Sequence, residues 1–285
     1  MKGSDKQSRL LSLTEQSTKA LIQFVRNEKK VTPQCVYAYA SLIFKDDEGL
    51  PIIPAEHHKV WTELFCNETI KKLLIISPPD SAKTSWAMAY LGCLIGKNPD
   101  KNYIVGAVTD DVAEKRSLSL RNTIESQIWK EMFPDVMRNE QMKWEQSEWS
   151  IKSIKSSPTG KLHPTVRSYG TNSSSIIGSR ADFLLGDDLL SKENTATQGQ
   201  RIKFEDWMDQ QFLTRRKPKG KTILIGTAYN AADYYAKIRR NPMGWVVCIC
   251  QSYQEGAAEN GFFINIYYPD DFKGKMLGNS SEVSL

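Results

Sequence analysis

The sequence predicts a three-layer α/β domain built on a central, mainly parallel sheet, and three observations carry that prediction. The runs at 73–76, 103–108 (YIVGAV), 223–229 (ILIGTAY) and 245–250 (WVVCIC) are apolar at nearly every position rather than alternating. Strands covered on both faces read this way. Stretches long enough for helices separate them, the spacing of parallel crossovers rather than of hairpins. Finally, KKLLIISPPDSAKTS at 71–85 takes one such strand through a polar, proline-containing turn into the apolar run TSWAMAYLGCLI, a strand-turn-helix order.

Composition sets the class. In 285 residues, 25% are charged and 40% hydrophobic, ordinary values for a globular chain with a core of normal depth. No apolar run approaches a membrane span, and the amino terminus leads into no signal-peptide core, so no membrane association and a cytoplasmic location are expected. The five cysteines lack paired metal spacing, and Cys248 and Cys250 read as buried thiols in a strand. Only three histidines occur, which argues against a histidine metal site. A formal net charge of +5 is compatible with nucleic acid without establishing it.

The elements follow in order. Residues 1–12 are polar and expected to fray. Ala20, Leu21, Ile22, Phe24 and Val25 place an apolar stripe on a helix over 14–25, and Pro33 opens a second helix running through Ala40 and Ile43. A loop at 45–49 and the prolines at 51 and 54 then separate a helical region, 1–50, from the main domain, 51–250. A helix over 57–65 precedes the first strand, with His57 and His58 read as surface residues near its start. The strand at 103–108 leads to a helix over 112–132. Residues 144–155 alternate and read as an edge or antiparallel strand, in which Trp144 and Trp149 fit packing or a hairpin better than a stacking platform. A turn around Pro158, Gly160 and Pro164 precedes a short strand at 166–169. A polar loop, 170–179, leads to the strand at 183–185, which ends on Asp187 and Asp188. A helix over 202–213 then precedes the basic run 215–221. Beyond 251 the periodicity weakens into an extension or the start of a linker, in which FFINIYYP reads as a strand and the last residues as unstructured.

The chemistry concentrates at the ends of strands. Residues 77–84, SPPDSAKT, occupy the place of a phosphate-binding loop, G-x-x-x-x-G-K-[ST]. Such a loop needs backbone N–H groups and a helix N-terminus facing the phosphates, a lysine for the β/γ oxygens and a hydroxyl for magnesium. Lys83 and Thr84 meet the last two needs. Ser77 and Ala82 stand at the glycine positions, and Ala82 is acceptable there if its backbone is helical. Asp80 puts a carboxylate beside an anionic ligand. Taken alone, the octapeptide reads as an ordinary strand-turn-helix junction. Asp187 and Asp188 leave a buried parallel strand at its carboxyl end, where ligands sit in an open α/β sheet. Alone they too read as a solvated acidic turn. Together, Thr84 and Asp187 supply hard oxygens for magnesium, and Asp188 can position a water and accept its proton. That combination points to nucleotide binding and hydrolysis.

Other candidates stay open. Thr227 can sense the γ-phosphate or serve only as a β-branched strand end, and His57 and His58 have a second reading beside a nucleotide base. Arg116, Arg121, Arg180, Arg215 and Arg216 are available to the transferring phosphoryl group, and nothing local chooses among them. Arg215, Arg216, Lys217 and Lys219, with Lys152, Lys155 and Lys161, can contact DNA phosphates. A solvated connector is the plainer reading of the run 215–221.

In order and spacing these pieces resemble the ATPase half of the large terminase subunits of tailed bacteriophages, the DNA-packaging motors, over about residues 50–250. IISPPDSAKTS is similar to the Walker A segment, SSSIIGSRADFLLGDD to the loop and Walker B strand, and FLTRRKPKGKTILIGTAYNAADYYAKI to the coupling motif and its following helix. The resemblance implies a P-loop ATPase fold of the ASCE type and a loop, Pro79, Asp80, Ser81, Ala82, Lys83, Thr84 and Ser85, that holds ATP. It further implies Mg2+ on Thr84 and Asp187, a catalytic carboxylate at Asp188 assisted by Lys83, and coupling through Thr227. Arg180 matches a basic residue preceding Walker B, and Arg121 an arginine that can serve a neighbouring subunit. The implied partners are double-stranded DNA, a portal protein, a small terminase subunit and further copies in a ring, a ring that the assembled motor forms and a monomer in isolation does not. The implied location is the cytoplasm of an infected bacterium, transiently at the procapsid portal vertex.

Departures from the family pattern keep two other readings open, another DNA-dependent ATPase such as a helicase or recombination motor, and a non-hydrolysing DNA-binding or scaffold module. Asp80 stands where relatives carry an arginine, and Ala228 and Asn230 depart from the common coupling run. About 35 residues follow Cys250, too few for the RNase H-like nuclease domain of full-length relatives, and Asp233, Asp270 and Asp271 do not replace its site. No nuclease activity is expected of this chain.

Overall fold

The computed structural model describes residues 15–45, 49–155, 163–251 and 263–269. Among the described residues two helices come first, α1 (Glu15–Asn27) and α2 (Pro33–Ile43), the second opened by Pro33 and by the Thr32 hydroxyl, which accepts the Cys35 N–H. Then follow α3 (Glu56–Cys66), β1 (Lys72–Ile76), α4 (Lys83–Lys97), β2 (Tyr103–Ala107), α5 (Asp110–Glu125) and α6 (Gln127–Met132). Short strands β3 (Val136–Arg138), β4 (Glu148–Trp149) and β5 (Ile151–Ser153) precede β6 (Val166–Gly170) and β7 (Ala181–Asp187). After these come α7 (Lys192–Thr195), α8 (Gln198–Asp206), β8 (Arg216–Gly226), α9 (Tyr234–Arg240), β9 (Val246–Gln251) and β10 (Phe263–Tyr267).

Eight strands form one sheet in the order β10-β9-β1-β8-β7-β2-β6-β4. The inner six run parallel, and the two edges, β10 and β4, are antiparallel. The strand alternation sorts side chains into two cores. Leu73, Ile75, Val105, Leu185, Ile223 and Cys248 face one helical layer that contains α2, α4 and residues of α1, α3, α5 and α6. Leu74, Ile104, Leu184, Leu224 and Val247 face the other, with Phe204, Trp207, Phe212 and Tyr235. The apolar strands are therefore buried on both faces, which is why alternation is absent from their sequences. The amino-terminal helices share the first core, with Cys35, Val36, Tyr39 and Leu42 buried in it.

Several expected elements differ in detail. The helix over 112–132 is two helices, because Ser126 is extended (φ −67°, ψ 150°) and its hydroxyl accepts the Trp129 N–H to start α6. The segment 144–155 is not one strand: Trp144 and Trp149 pair as the hairpin reading anticipates, while β5 leaves to pair with β3 in a separate sheet. The helix over 202–213 begins at Gln198 and turns π-helical over Trp207–Phe212. The connector reading of the basic run is corrected outright. Residues from Arg216 belong to β8, with a register shift against β7 between the pairs Ala181–Arg216 and Phe183–Lys221. Lys217 pairs with Asp182 at 2.8 Å, and Lys221 donates to the carbonyls of Leu64, Phe65 and Asn67 at the end of α3.

The cysteines are free thiols, four buried and Cys66 half-buried. Among the described residues no helix is long and apolar enough to cross a membrane. Lys161, the turn at Pro158 and Gly160, Asp270, Asp271 and both tails lie outside the described residues.

Candidate active site

Parallel strands deliver their carboxyl ends to one edge of the sheet, and β8 sits between β1 and β7. The turn after β1 and the acids after β7 therefore reach the same edge from strands that are not neighbours. Ladder bonds extend past the strand ends and fix their registers: the Ser77 N–H donates to the Gly226 carbonyl at 3.0 Å, and the Asp188 N–H to Ile225 at 2.8 Å. Gly226 leaves room for the approach, since a Cβ there would come within 3.2 Å of Asp188 Oδ1 and 3.0 Å of the Tyr235 ring.

The loop itself does not have the backbone its sequence implies. Ala82 is left-handed (φ 52°, ψ 23°), not helical, and Asp80 is left-handed as well (φ 60°). Non-glycine residues in this region cost roughly 1–2 kcal/mol each, so the loop keeps a glycine-type path without the glycines. Ala82 is the N-cap of α4 and has no side chain to accept from the first-turn N–H groups. Those donors are left available to an anion. Asp80 is exposed, which lets water solvate its carboxylate.

Lys83 is buried, with Nζ 3.4 Å from Asp188 Oδ2. The Thr84 hydroxyl donates to Asp187 Oδ1 at 2.9 Å, across 103 residues of sequence. Asp187 is 1% exposed, and Arg116 Nε donates to its other oxygen at 2.9 Å. Burial raises the Asp187 carboxyl above the usual range; Arg116 and the Thr84 hydroxyl oppose that shift, while Asp188 adds to it. Asp188 is left-handed (φ 48°) and its side chain is partly exposed. The Thr227 hydroxyl donates to the Ser77 carbonyl at 3.2 Å, tying the end of β8 to the start of the loop. Ser77 Oγ is buried without a partner at the same place.

The structure does not bring every candidate here. Arg121 donates to the Trp144 carbonyl at 3.1 Å, and Arg180 to that of Thr214 at 3.1 Å. Arg116 is the arginine at the twin aspartates. Its position one helical turn after buried Ala113 on α5 is the signal that could have singled it out. Arg215, Arg216, Lys217 and Lys219 sit at the opposite edge, where β8 begins. Arg216 donates to the Gly220 carbonyl and Arg215 to Gln211, while Lys219 is exposed. The surface reading of His57 and His58 is wrong: they are 4% and 5% exposed, packed beneath the loop. Burial pulls both imidazoles down, His58 to about 4.

Comparison with known proteins adds family context. No protein-family model matches the sequence. The terminase large subunit of Enterobacteria phage T3 is 24% identical over 198 residues, covering 68% of this chain and 32% of its own length. The chain thus spans about a third of the length of that curated relative. The large terminase of bacteriophage HK97, a crystal structure, superposes with a TM-score of 0.55 at 12% identity, over 79% of this chain and 45% of that one. The chain is therefore similar at low identity to terminase large subunits, and it has a mixed α/β fold, a mostly parallel sheet between helices, consistent with the ASCE-type P-loop ATPase fold.

Proposed function

We propose that this chain is the ATP-hydrolysing module of a motor that drives double-stranded viral DNA into a procapsid. The observation that carries the reading is the meeting of Lys83 and Thr84 with Asp188 and Asp187. An ordinary strand-turn-helix junction gives no reason for that convergence.

The residues suit a triphosphate with magnesium. The uncapped start of α4 and the backbone N–H groups of residues 80–85 suit an anion. The Thr84 hydroxyl and the buried Asp187 carboxylate are hard oxygens that touch, a pair able to hold magnesium directly or through water. Among the described residues no group of three or more His, Cys, Asp or Glu gathers as a metal cage. The remaining oxygen ligands would have to come from substrate phosphates and water. When bound, magnesium neutralises charge on the β and γ oxygens.

In this mechanism Lys83 exchanges Asp188 for the β/γ oxygens. Asp188, freed of that ion pair and reached by solvent, orients the attacking water and takes its proton. Arg116, 2.9 Å away, favours the charged form of Asp187 against the burial that disfavours it. Thr227 carries the state of the loop into β8. Arg121, whose guanidinium is bound elsewhere in this chain, would serve a neighbouring subunit, and Arg180 keeps the place of the basic residue that precedes the Walker B strand. DNA is assigned to the basic start of β8, Arg215, Arg216, Lys217 and Lys219, of which exposed Lys219 is the freest. A portal protein, a small terminase subunit and further copies in a ring are the remaining partners, in the cytoplasm of an infected bacterium and at the procapsid vertex.

ATPase rates with and without double-stranded DNA, across protein concentration, test this for the wild type, Lys83→Ala and Asp188→Ala. Both substitutions are expected to lower turnover at least a hundredfold. Activity untouched by either rejects the site. Magnesium-ATP binding without turnover in any state would favour a non-hydrolysing scaffold.

A further inference from the structure

The loop after β1 poses a mechanical problem. Asp80 and Ala82 are both left-handed, and neither has the freedom of glycine. Left to itself such a segment relaxes to right-handed or extended backbone, so something outside the loop must hold it. The residue between the two is the one that is held.

The Ser81 carbonyl lies 2.9 Å from His58 Nε2 and 3.3 Å from His57 Nε2. The tautomer of His58 follows from its other nitrogen, since Nδ1 lies 3.1 Å from the Ala55 N–H and can only accept from it. The proton is then on Nε2 and is donated to Ser81. The imidazole stacks on Trp86, in the first turn of α4, with centroids 4.7 Å apart and planes 16° from parallel. His57 lies against His58 at 4.0 Å and meets Trp61 edge-on at 4.9 Å. Within the loop the Ser81 hydroxyl donates to the Pro78 carbonyl at 2.9 Å. In a trans peptide the C=O and the following N–H point in opposite directions. A Ser81 carbonyl drawn toward α3 therefore turns the Ala82 N–H away from α3.

We propose that His58, with His57 beside it, is a positioning clamp that imposes from outside the loop the conformation other phosphate loops obtain from glycine. The clamp rests on the reading that this loop holds a triphosphate, and it deepens that reading: these histidines touch no phosphate and act through Ser81. It also accounts for a left-handed Ala82 at a glycine position.

The test uses the full chain as wild type, His58→Phe, Ala82→Gly and the double variant. Phenylalanine keeps a ring against Trp86 and removes both hydrogen bonds. One readout is the affinity for a fluorescent ATP analogue with magnesium. The other is hydrogen exchange of the peptide 77–86 in the nucleotide-free chain. His58→Phe is expected to weaken binding about tenfold, the weight of a lost hydrogen bond, and to quicken exchange of that peptide while the later turns of α4 stay unchanged. Ala82→Gly is expected to restore at least threefold of that loss in the double variant, because the clamp is no longer needed against strain. A purely packing role for His58 predicts no rescue by a glycine in the loop. Unchanged exchange of 77–86 in His58→Phe overturns the clamp. Quickened exchange in a chain that binds no nucleotide supports the clamp and removes the proposed function instead. Nitrogen-15 NMR of the wild-type histidines needs no variant: a neutral His58 with its proton on Nε2 is expected, and a proton on Nδ1 overturns the proposal.

Discussion

Acidification from pH 7 to pH 5 measures the energetic weight of His58. Its pKa is pulled from 6.5 to about 4, chiefly by burial and secondarily by His57, against an opposing pull from the Ser81 carbonyl. The folded value lies below the unfolded one, so the unfolded chain takes up the proton first. Stability is therefore intact above about pH 6.5 and falls as pH drops toward 4. Linkage between those two values removes about 2 kcal/mol at pH 5 and about 3 kcal/mol once both states are protonated. His57, also lowered by burial, adds in the same direction. Asp187, raised by burial, opposes it, because its folded form binds the proton more tightly at the acid end. Comparison with His58→Phe cancels Asp187. Urea unfolding at pH 7, 6 and 5 is the assay. With a slope of about 3 kcal/mol/M, the wild-type midpoint should fall about 0.6 M further than that of the variant between pH 7 and 5. Parallel decline of the two proteins would refute the assignment of a buried, neutral imidazole.

Three further outcomes follow from contacts described above. Arg116→Ala leaves the Asp187 carboxylate, 1% exposed, without its cation. A cost of about 2 kcal/mol is expected, tempered because Arg116 itself is 36% exposed. Adding Asp187→Asn should recover at least half of it in denaturant unfolding, and no recovery would show that Arg116 acts through packing. At Gly170 a Cβ would run into the backbone of Thr109 and Asp110 where α5 begins. Gly170→Ala should cost more than about 3 kcal/mol, since backbone cannot rotate aside; a melting temperature within 2 °C of wild type contradicts this. Lys221→Met keeps the length of the side chain and removes the donor to three carbonyls at the end of α3. A loss of about 2 kcal/mol is expected, and a gain in calorimetric stability would mean that burying the amine outweighs its bonds.

The sequence makes the sheet legible where physical constraint is local. The apolar runs of β1, β2, β8 and β9 announce strands covered on both sides, and the parallel order follows from the helices between them. The short strands β3 and β5 escape because three residues with partly exposed side chains leave no pattern. The break at Ser126 escapes because a serine flanked by helix formers reads as helix until its hydroxyl is seen capping α6. At the candidate site the two pairs of residues are visible as chemistry, but not the bond between them, which spans distant segments. Ala82 misleads for the same reason: its conformation is set by neighbours of the loop, not by its own preference. Arg116 and Arg121 share α5 and differ by five positions, about 140° around a helix, so only one can face the aspartates. Choosing between them requires knowing which side of α5 meets β7. The histidine pair carries no polar or apolar periodicity of its own, and only the packing of α3 beneath the loop buries it.

One consequence attaches to β8. This strand runs from the lysine-bearing bulge at one rim of the sheet toward Thr227 at the other, and its regularly paired part, 221–226, is a rod of about 17 Å by ordinary strand rise. Hydrogen-bond ladders with β1 and β7 grip it on both flanks over Thr222 to Ile225. Sliding it alone would break two rows of bonds at once, so its ends are locked to a single piece of the sheet. A tug on the basic rim and a shift beside Thr227 must then be one displacement, shared by the whole slab, and a stiffer or looser linkage would have to be built elsewhere in the chain.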